Sequence, residues 1–301
     1  MPEYTVIWMI VAAFLVAGVL SYFFTPYVKK FAHKIGAIDV PKDTRRMHKE
    51  PIPRLGGLGI FMAFLCSILL FGKLDTPMLC VLLGALLIVV LGIFDDVMAL
   101  GAKLKFVVQI IAAAIPVCIG GLRIDMFTNL NPFSDDMYFH LGIFAIPVTI
   151  IWIVGITNDV NLIDGLDGLA VGVSSIAAIT MLAVALLTGE MGIAITMGAL
   201  AGACIGFMPY NLNPAKIFMG DTGSTFLGYM LATVSIMGLF KFYAVISFAV
   251  PFLILGLPIF DMANAIIRRL AEGRSPMSPD RGHVHHKLID MGFNQKQAVA
   301  I

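Results

Sequence analysis

"TPMLCVLLGALLIVVLGIFDDV", residues 76–97, decides the fold. From Thr76 to Phe94 it holds no charged side chain, and its apolar residues would fall on every face of a helix. A helix on a soluble protein keeps a polar stripe for water. A run of about 18 or more apolar residues without one reads as a membrane span. The run stops on Asp95 and Asp96, two carboxylates at the membrane edge. Comparable runs lie near residues 4–28, 56–72, 104–120, 142–158, 168–187, 191–209, 223–240 and 243–266. The closing "GFNQKQAVAI", residues 292–301, reads as the start of one more helix, cut short. The chain is 59% hydrophobic and 13% charged, with mean hydropathy +0.94; soluble domains are about half apolar and about a quarter charged. The expectation is an all-α polytopic integral membrane protein of about ten transmembrane helices, the last truncated. It would form a single membrane-embedded domain over residues 1–301.

The flank "MPEY" lacks the basic start of a signal peptide, and the first run is longer than a typical signal core. Lys29 and Lys30 follow that run, which puts the N-terminus outside. Alternation through the spans then places all 20 Lys and Arg on the inner face except Lys73, Arg123 and Lys241. Of the 19 acidic residues, only Glu3, Asp75, Asp125, Asp135, Asp136 and Glu190 fall outside. The orientation rule accounts for the bases but not for these acids, so the acids need another cause. Net charge +1 gives no reason to expect a nucleic-acid partner. Cys66, Cys80, Cys118 and Cys204 sit in apolar runs without ligand spacing and read as packing residues. The outer loop 121–141 reads as a short amphipathic or hairpin element without chemistry.

The inner loops hold almost everything reactive. They are "DVPKDTRRMHKEPIPRLGG" (39–57), "FDDVMALGAKLKFVVQ" (94–109), "TNDVNLIDGLDGLA" (157–170), "NLNPAKIFMGDTGS" (211–224) and "SPDRGHVHHKLID" (278–290). Each has a plain explanation. Asp95 and Asp96 end a helix at the headgroups, Gly165 and Gly168 let helices pack, and Asp221 or Thr222 caps a helix. The histidines are solvated. Together on one face, these loops point instead to a shared site. A calcium loop starting at Asp159 fails, because its fifth, sixth and twelfth positions are Ile163, Asp164 and Ala170. If the 157–170 stretch is helical, Asn158, Asn161, Asp164 and Asp167 are neighbours on successive turns, and the glycines let a ligand approach the backbone. Carboxylates, a carboxamide and lysines, together with an Mg2+-type cation, are what a diphosphate requires. The inner loops therefore suit a phosphorylated, water-soluble substrate at the cytoplasmic face; if the second substrate is a lipid, a site at the membrane edge is expected.

These motifs, in this order, resemble the polyprenyl-phosphate N-acetylhexosamine-1-phosphate transferases. The resemblance runs from about Asp43 to His286 and includes "RRMHKEPIPRLGGLGIF" in the first loop. It implies transfer of a sugar-1-phosphate from a UDP-sugar donor to a polyprenyl phosphate lipid acceptor, releasing UMP. It also implies Mg2+ as cofactor, with Mn2+ as a substitute. By the same resemblance Asp95, Asp96 and Lys105 are catalytic, with Lys105 on the diphosphate, and Asn161 and Asp221 bind metal. Phe218 stacks on uracil, and Asp164 and Asp167 lie at the substrate, Asp167 near the uridine. Arg281, His283, His285 and His286 close over sugar and phosphate, and Arg46 and Arg54 contact the lipid phosphate or the diphosphate. Asp159 departs from the pattern, which has a small apolar residue there. The His-x-His-His run and the basic first loop resemble the N-acetylglucosamine branch. The expected reaction is thus N-acetylglucosamine-1-phosphate transfer from UDP-N-acetylglucosamine to undecaprenyl phosphate, the start of a surface glycan such as teichoic acid or O-antigen. The setting would be the bacterial inner membrane, with a homodimer as a further expectation. The nearer alternative is the same chemistry with another UDP-sugar, such as UDP-MurNAc-pentapeptide. The farther one is a membrane transporter, which would carry ionisable groups near the bilayer midplane. For the mechanism, direct attack by the lipid phosphate is favoured over a covalent aspartyl intermediate.

Overall fold

The computed structural model describes residues 3–40, 50–128, 138–238, 256–271, 273 and 284–300. Its architecture is all-α and polytopic. The helices are α1 (Glu3–Ile35), α2 (Gly56–Phe71), α3 (Thr76–Met98), α4 (Ala102–Ala114), α5 (Ala145–Leu162), α6 (Leu169–Leu187), α7 (Met191–Asn211), α8 (Gly220–Gly238), α9 (Gly256–Ala271), α10 (Val284–Asp290) and α11 (Gln295–Ala300). Among the described residues, six stretches are long and apolar enough to cross a membrane: Tyr4–Ile35, Thr76–Met98, Ala102–Ile119, Gly142–Leu162, Leu169–Leu187 and Met191–Asn211. α2 is apolar but only 16 residues long. Of the expected span 243–266, only the part within α9 is described.

α3 shows how the chain sets these boundaries. Asp75 caps it by accepting from the Met78 N–H at 3.2 Å, and Pro77 fits the first turn, where its missing N–H costs nothing. It ends at Ala99, whose left-handed φ of 52° lets its N–H reach the Asp95 carbonyl. The helix therefore turns back just past the aspartate pair, and α4 begins at Ala102.

α8 is the hub. It packs against α5, α3 and α2, and nearly all of its residues are buried, including Phe226, Tyr229, Thr222, Ser224 and Thr233. Trp8, Leu15, Phe23, Leu69, Leu83, Ile151 and Ile176 are exposed instead, as lipid-facing side chains should be. α2 meets α8 where Gly57 and Gly223 touch backbone to backbone; a Cβ on Gly57 would overlap the Gly223 Cα. The Gly56 and Gly57 N–H groups donate to the carbonyls of Phe218 and Met219 at 2.9 and 2.8 Å. The first turn of α2 is thereby tied to the segment that leads into α8.

Two small antiparallel sheets complete the described chain. β1 (Ile38–Asp39) pairs with β2 (Ile52–Pro53), and β3 (Met126–Thr128) pairs with β4 (Tyr138–His140). The second pair joins the described ends of the 121–141 loop as antiparallel strands. The C-terminal ends of α1, α3, α5 and α7 and the N-terminal ends of α2, α4, α6 and α8 meet at one end of the bundle. This up-and-down alternation gathers the polar loops.

Candidate active site

That end of the bundle encloses a cleft of about 900 Å3, lined by Arg54, Asn161, Asp164, Asp167, Phe218 and Asp221 among others. Behind it lies a void of about 20 Å3 lined by Asp95, Lys105, Gln109 and Asn158. Asn161 and Asp221 line both spaces and so form the partition between them.

The adjacent aspartates have different surroundings. Asp96 is buried with both oxygens occupied. Oδ1 accepts from Arg54 Nε at 2.9 Å and from the Asp221 N–H at 3.0 Å; Oδ2 accepts from the Thr222 N–H at 3.0 Å and the Thr222 hydroxyl at 2.7 Å. It caps α8 across the bundle, where a carboxylate is favoured by the free N–H groups and the helix dipole. A side chain on Gly220 would strike this carboxylate, and Gly220 also holds a φ of 73°. Asp95 takes the Leu100 N–H on Oδ1 at 2.7 Å and Lys105 Nζ on Oδ2 at 2.8 Å. Lys105 also reaches Asp221 Oδ2 at 3.0 Å, while Arg54 Nη2 lies 3.5 Å from Asp221 Oδ1. Asp221 is thus shared by two cations from opposite sides. Burial works against the charge on Arg54, but Asp96, Asp221 and Asp39 outweigh it and raise the guanidinium pKa.

The 157–170 stretch is helical only in part. α5 ends at Leu162, and residues 163–168 turn, with Gly168 at φ 82° in front of α6. The four polar residues therefore do not form one face. Asn158 turns away from the cleft and pairs with Gln109, donating from Nδ2 to Oε1 at 2.7 Å. Asn161 donates from Nδ2 to the Ser224 hydroxyl at 2.8 Å, which leaves its carbonyl oxygen as an acceptor. Asp167 accepts on Oδ2 from Asn213 Nδ2 and from the Ala215 N–H, each at 3.0 Å. Asp164 keeps some surface on the cleft but is ringed by protein. Burial, then the charges of Asp221 and Asp96, push its carboxyl up to about 8, although Arg54 pulls the other way. Asp159 is buried in α5, within electrostatic reach of Asp261 in α9, and among the described residues neither of its oxygens has a hydrogen-bond partner.

Arg46, Arg281 and His283 lie outside the described residues. His285 and His286 belong to α10, and their side chains are outside the described part. The cleft also includes Lys29, His33, Asn213, Lys216 and Gln295, which carry no site role in the sequence reading. Lys29 reads there only as an orientation signal. The signal that could have found it is its place on the same inner face as the acidic loops.

Asp221, Asp95 and the Asn161 carbonyl are hard oxygen donors around one partition, the ligand type Mg2+ takes. Among the described residues, no three acidic, His or Cys groups converge as a closed metal cage. The arrangement fits an open Mg2+ position, where the protein provides one or two ligands and phosphate oxygens and water complete the shell.

Residues 78–239 match the family model described as glycosyl transferase family 4. The chain is 44% identical to a probable undecaprenyl-phosphate N-acetylglucosaminyl 1-phosphate transferase of Bacillus subtilis, over 97% of this chain and 80% of that protein. It is 34% identical to a decaprenyl-phosphate N-acetylglucosaminephosphotransferase of Mycolicibacterium smegmatis, over 95% of this chain and 77% of that one. It is 32% identical to an undecaprenyl-phosphate alpha-N-acetylglucosaminyl 1-phosphate transferase of Thermotoga maritima, over 89% and 78%. A multi-pass helical bundle with two cations set on one carboxylate, in a chain this similar along its length, belongs to glycosyl transferase family 4 and is a membrane-embedded sugar-phosphate transferase.

Proposed function

We propose that this chain transfers N-acetylglucosamine-1-phosphate from UDP-N-acetylglucosamine to undecaprenyl phosphate, at the cytoplasmic face of a bacterial inner membrane, releasing UMP. The product would start a surface glycan. The observation that carries the reading is Asp221 bridged by Lys105 and Arg54 beside Asp95, at the inner wall of a cleft large enough for a nucleotide sugar. The relatives named as undecaprenyl-phosphate N-acetylglucosaminyl 1-phosphate transferases support the transferred group and the acceptor.

An oxygen of the lipid phosphate attacks the β-phosphorus, the bond from that phosphorus to the bridging oxygen breaks, and UMP leaves. A phosphate monoester, with a second pKa of about 6, is already largely a dianion at neutral pH. It needs positioning and charge neutralisation more than activation. Lys105 and Arg54 provide neutralisation by exchanging their hold on Asp221 for phosphate oxygens. Asp95 accepts any proton left on the lipid phosphate. Phe218 stacks on the uracil, and Asp167 meets the uridine. Mg2+, or Mn2+ in its place, held by Asp221 and the Asn161 carbonyl, would neutralise charge on the diphosphate.

The saturated bonding of Asp96 argues against it as a nucleophile and favours direct attack over a covalent aspartyl phosphate. Purified protein given UDP-N-acetylglucosamine, undecaprenyl phosphate and Mg2+ should release UMP, and do so faster than with UDP-MurNAc-pentapeptide. The reverse preference would overturn the donor assignment. Without lipid phosphate, labelled UMP should not exchange into the UDP-sugar. Rapid exchange in lipid-depleted enzyme, abolished by Asp95→Asn, would establish the covalent route instead.

A further inference from the structure

The turn that carries Asp164 and Asp167 is gripped from outside by the last described helices. Leu288, Ile289, Ala298 and Val299 of α10 and α11 pack on Leu166 and Leu169, an apolar patch separate from the main core. Those two leucines bracket Asp167. At the polar edge of the same contact, Gln295, the first residue of α11, lines the cleft. Its Oε1 accepts from Asn213 Nδ2 at 2.7 Å, and the same nitrogen donates to Asp167 Oδ2 at 3.0 Å.

A carboxamide nitrogen carries two hydrogens. Gln295 and Asp167 each take one, so together they fix the plane and the direction of the Asn213 amide. Without Gln295, that amide could rotate toward water and release its hold on Asp167. The Ala215 N–H would then be the one described group still donating to the Asp167 carboxylate. Among the described residues no group bonds Asp167 Oδ1, which leaves it as an acceptor for a ligand in the cleft.

We propose that Gln295 is a positioning residue for the donor substrate: through Asn213 it holds the Asp167 carboxylate in the orientation that accepts a hydrogen bond from the uridine. The inference rests on the reading above that Asp167 meets the nucleotide. It adds that the C-terminal helices set affinity for the donor and not for the lipid. A purely structural role for Gln295, as an anchor for α11, would change stability or both substrates alike.

The test uses the full-length enzyme in detergent or nanodiscs, with initial rates measured against each substrate in turn. Gln295→Leu keeps the bulk and removes the acceptor. It should raise KM for UDP-N-acetylglucosamine by about fivefold, the worth of one neutral hydrogen bond. Its kcat, its KM for undecaprenyl phosphate and its Tm should stay at wild-type values. Gln295→Glu keeps an oxygen facing Asn213 and should restore the donor KM. Asn213→Ala should raise the donor KM at least as much, and Gln295→Leu should add nothing on top of it. A wild-type donor KM in Gln295→Leu, or a parallel rise in both KM values, would overturn the proposal. Asp167→Asn separates the two levels. If it raises the donor KM while Gln295→Leu does not, the positioning role fails and the uridine reading stands. If Asp167→Asn leaves the donor KM unchanged, the uridine reading fails and takes the positioning role with it.

Discussion

Asp96 gives both oxygens to Arg54, the Asp221 N–H and Thr222, while Asp95 keeps its partnership with a lysine beside the small void behind the cleft. Losing one partner of a buried charge pair leaves the other uncompensated, at about 3 kcal/mol or more. Asp96→Ala should therefore lower Tm clearly along with activity. Asp95→Asn should cost at least about 100-fold in kcat, as loss of a group acting on the reacting atoms does, with a smaller change in Tm. Equal Tm losses in the two variants would merge roles that the geometry separates. Asp164 makes a pH prediction. Its folded pKa, raised to about 8, exceeds the unfolded carboxylate value of about 4. The folded state therefore binds more protons in that window, and the stability contributed by this group falls as pH rises from about 4 to about 8. In Mg2+-free buffer, Asp164→Asn should melt higher than wild type at pH 8 and close to it at pH 5. A difference independent of pH would show that Asp164 is already ionised. Adjacency in sequence makes Asp95 and Asp96 look alike; what separates them is a contact to Thr222, 126 residues away, which no local pattern encodes.

At the start of α4, Lys103 and Lys105 are two residues apart and cannot share a helix face. Lys103 is exposed, whereas Lys105 reaches Asp95 and Asp221. Lys105→Ala should reduce kcat far more than Lys103→Ala, and equal losses would make the assignment of Lys105 untenable. The spans were legible because all-round apolarity is a local property of 20 or so residues. The break in 157–170 was less so. Its three-residue spacing of polar groups suits a helix, but Gly168 at φ 82°, with its N–H on the Asn211 side chain, takes the chain out of α5 and into α6. The meeting of α2 with the lead-in to α8 was not legible at all. It depends on the Gly57–Gly223 contact and on backbone bonds between residues more than 150 positions apart. The glycines of "RLGG" and "GDTGS" were visible, but nothing in either motif names the other as its partner.

Across the whole molecule, the alternating helix ends make an orientation claim. Lys73 lies between α2 and α3 at the end away from the cleft, and the exposed Lys216 lies at the cleft. In a background with Cys66, Cys80, Cys118 and Cys204 replaced, Lys73→Cys should react with an impermeant thiol reagent applied to intact cells. Lys216→Cys should react only after lysis. Labelling of Lys216→Cys from outside would invert the orientation. The acids' gathering on one face is visible in the sequence because alternation is simple arithmetic on the spans; which helix stands at the centre is not. That helix is α8, and its central place has a consequence for biosynthesis. It carries Asp221, Thr222, Ser224, Thr225, Thr233 and Ser235, more polar side chains than α3 holds before its aspartate pair. Each of them makes the helix less favourable in lipid by itself than an all-apolar span. Its polar groups are satisfied by Asp96, Asn161, Trp152 and its own backbone. α8 should therefore settle in the membrane more firmly once α3 and α5 are there to receive it, which makes the hub of the active site the last of these three helices to be secured in the nascent chain.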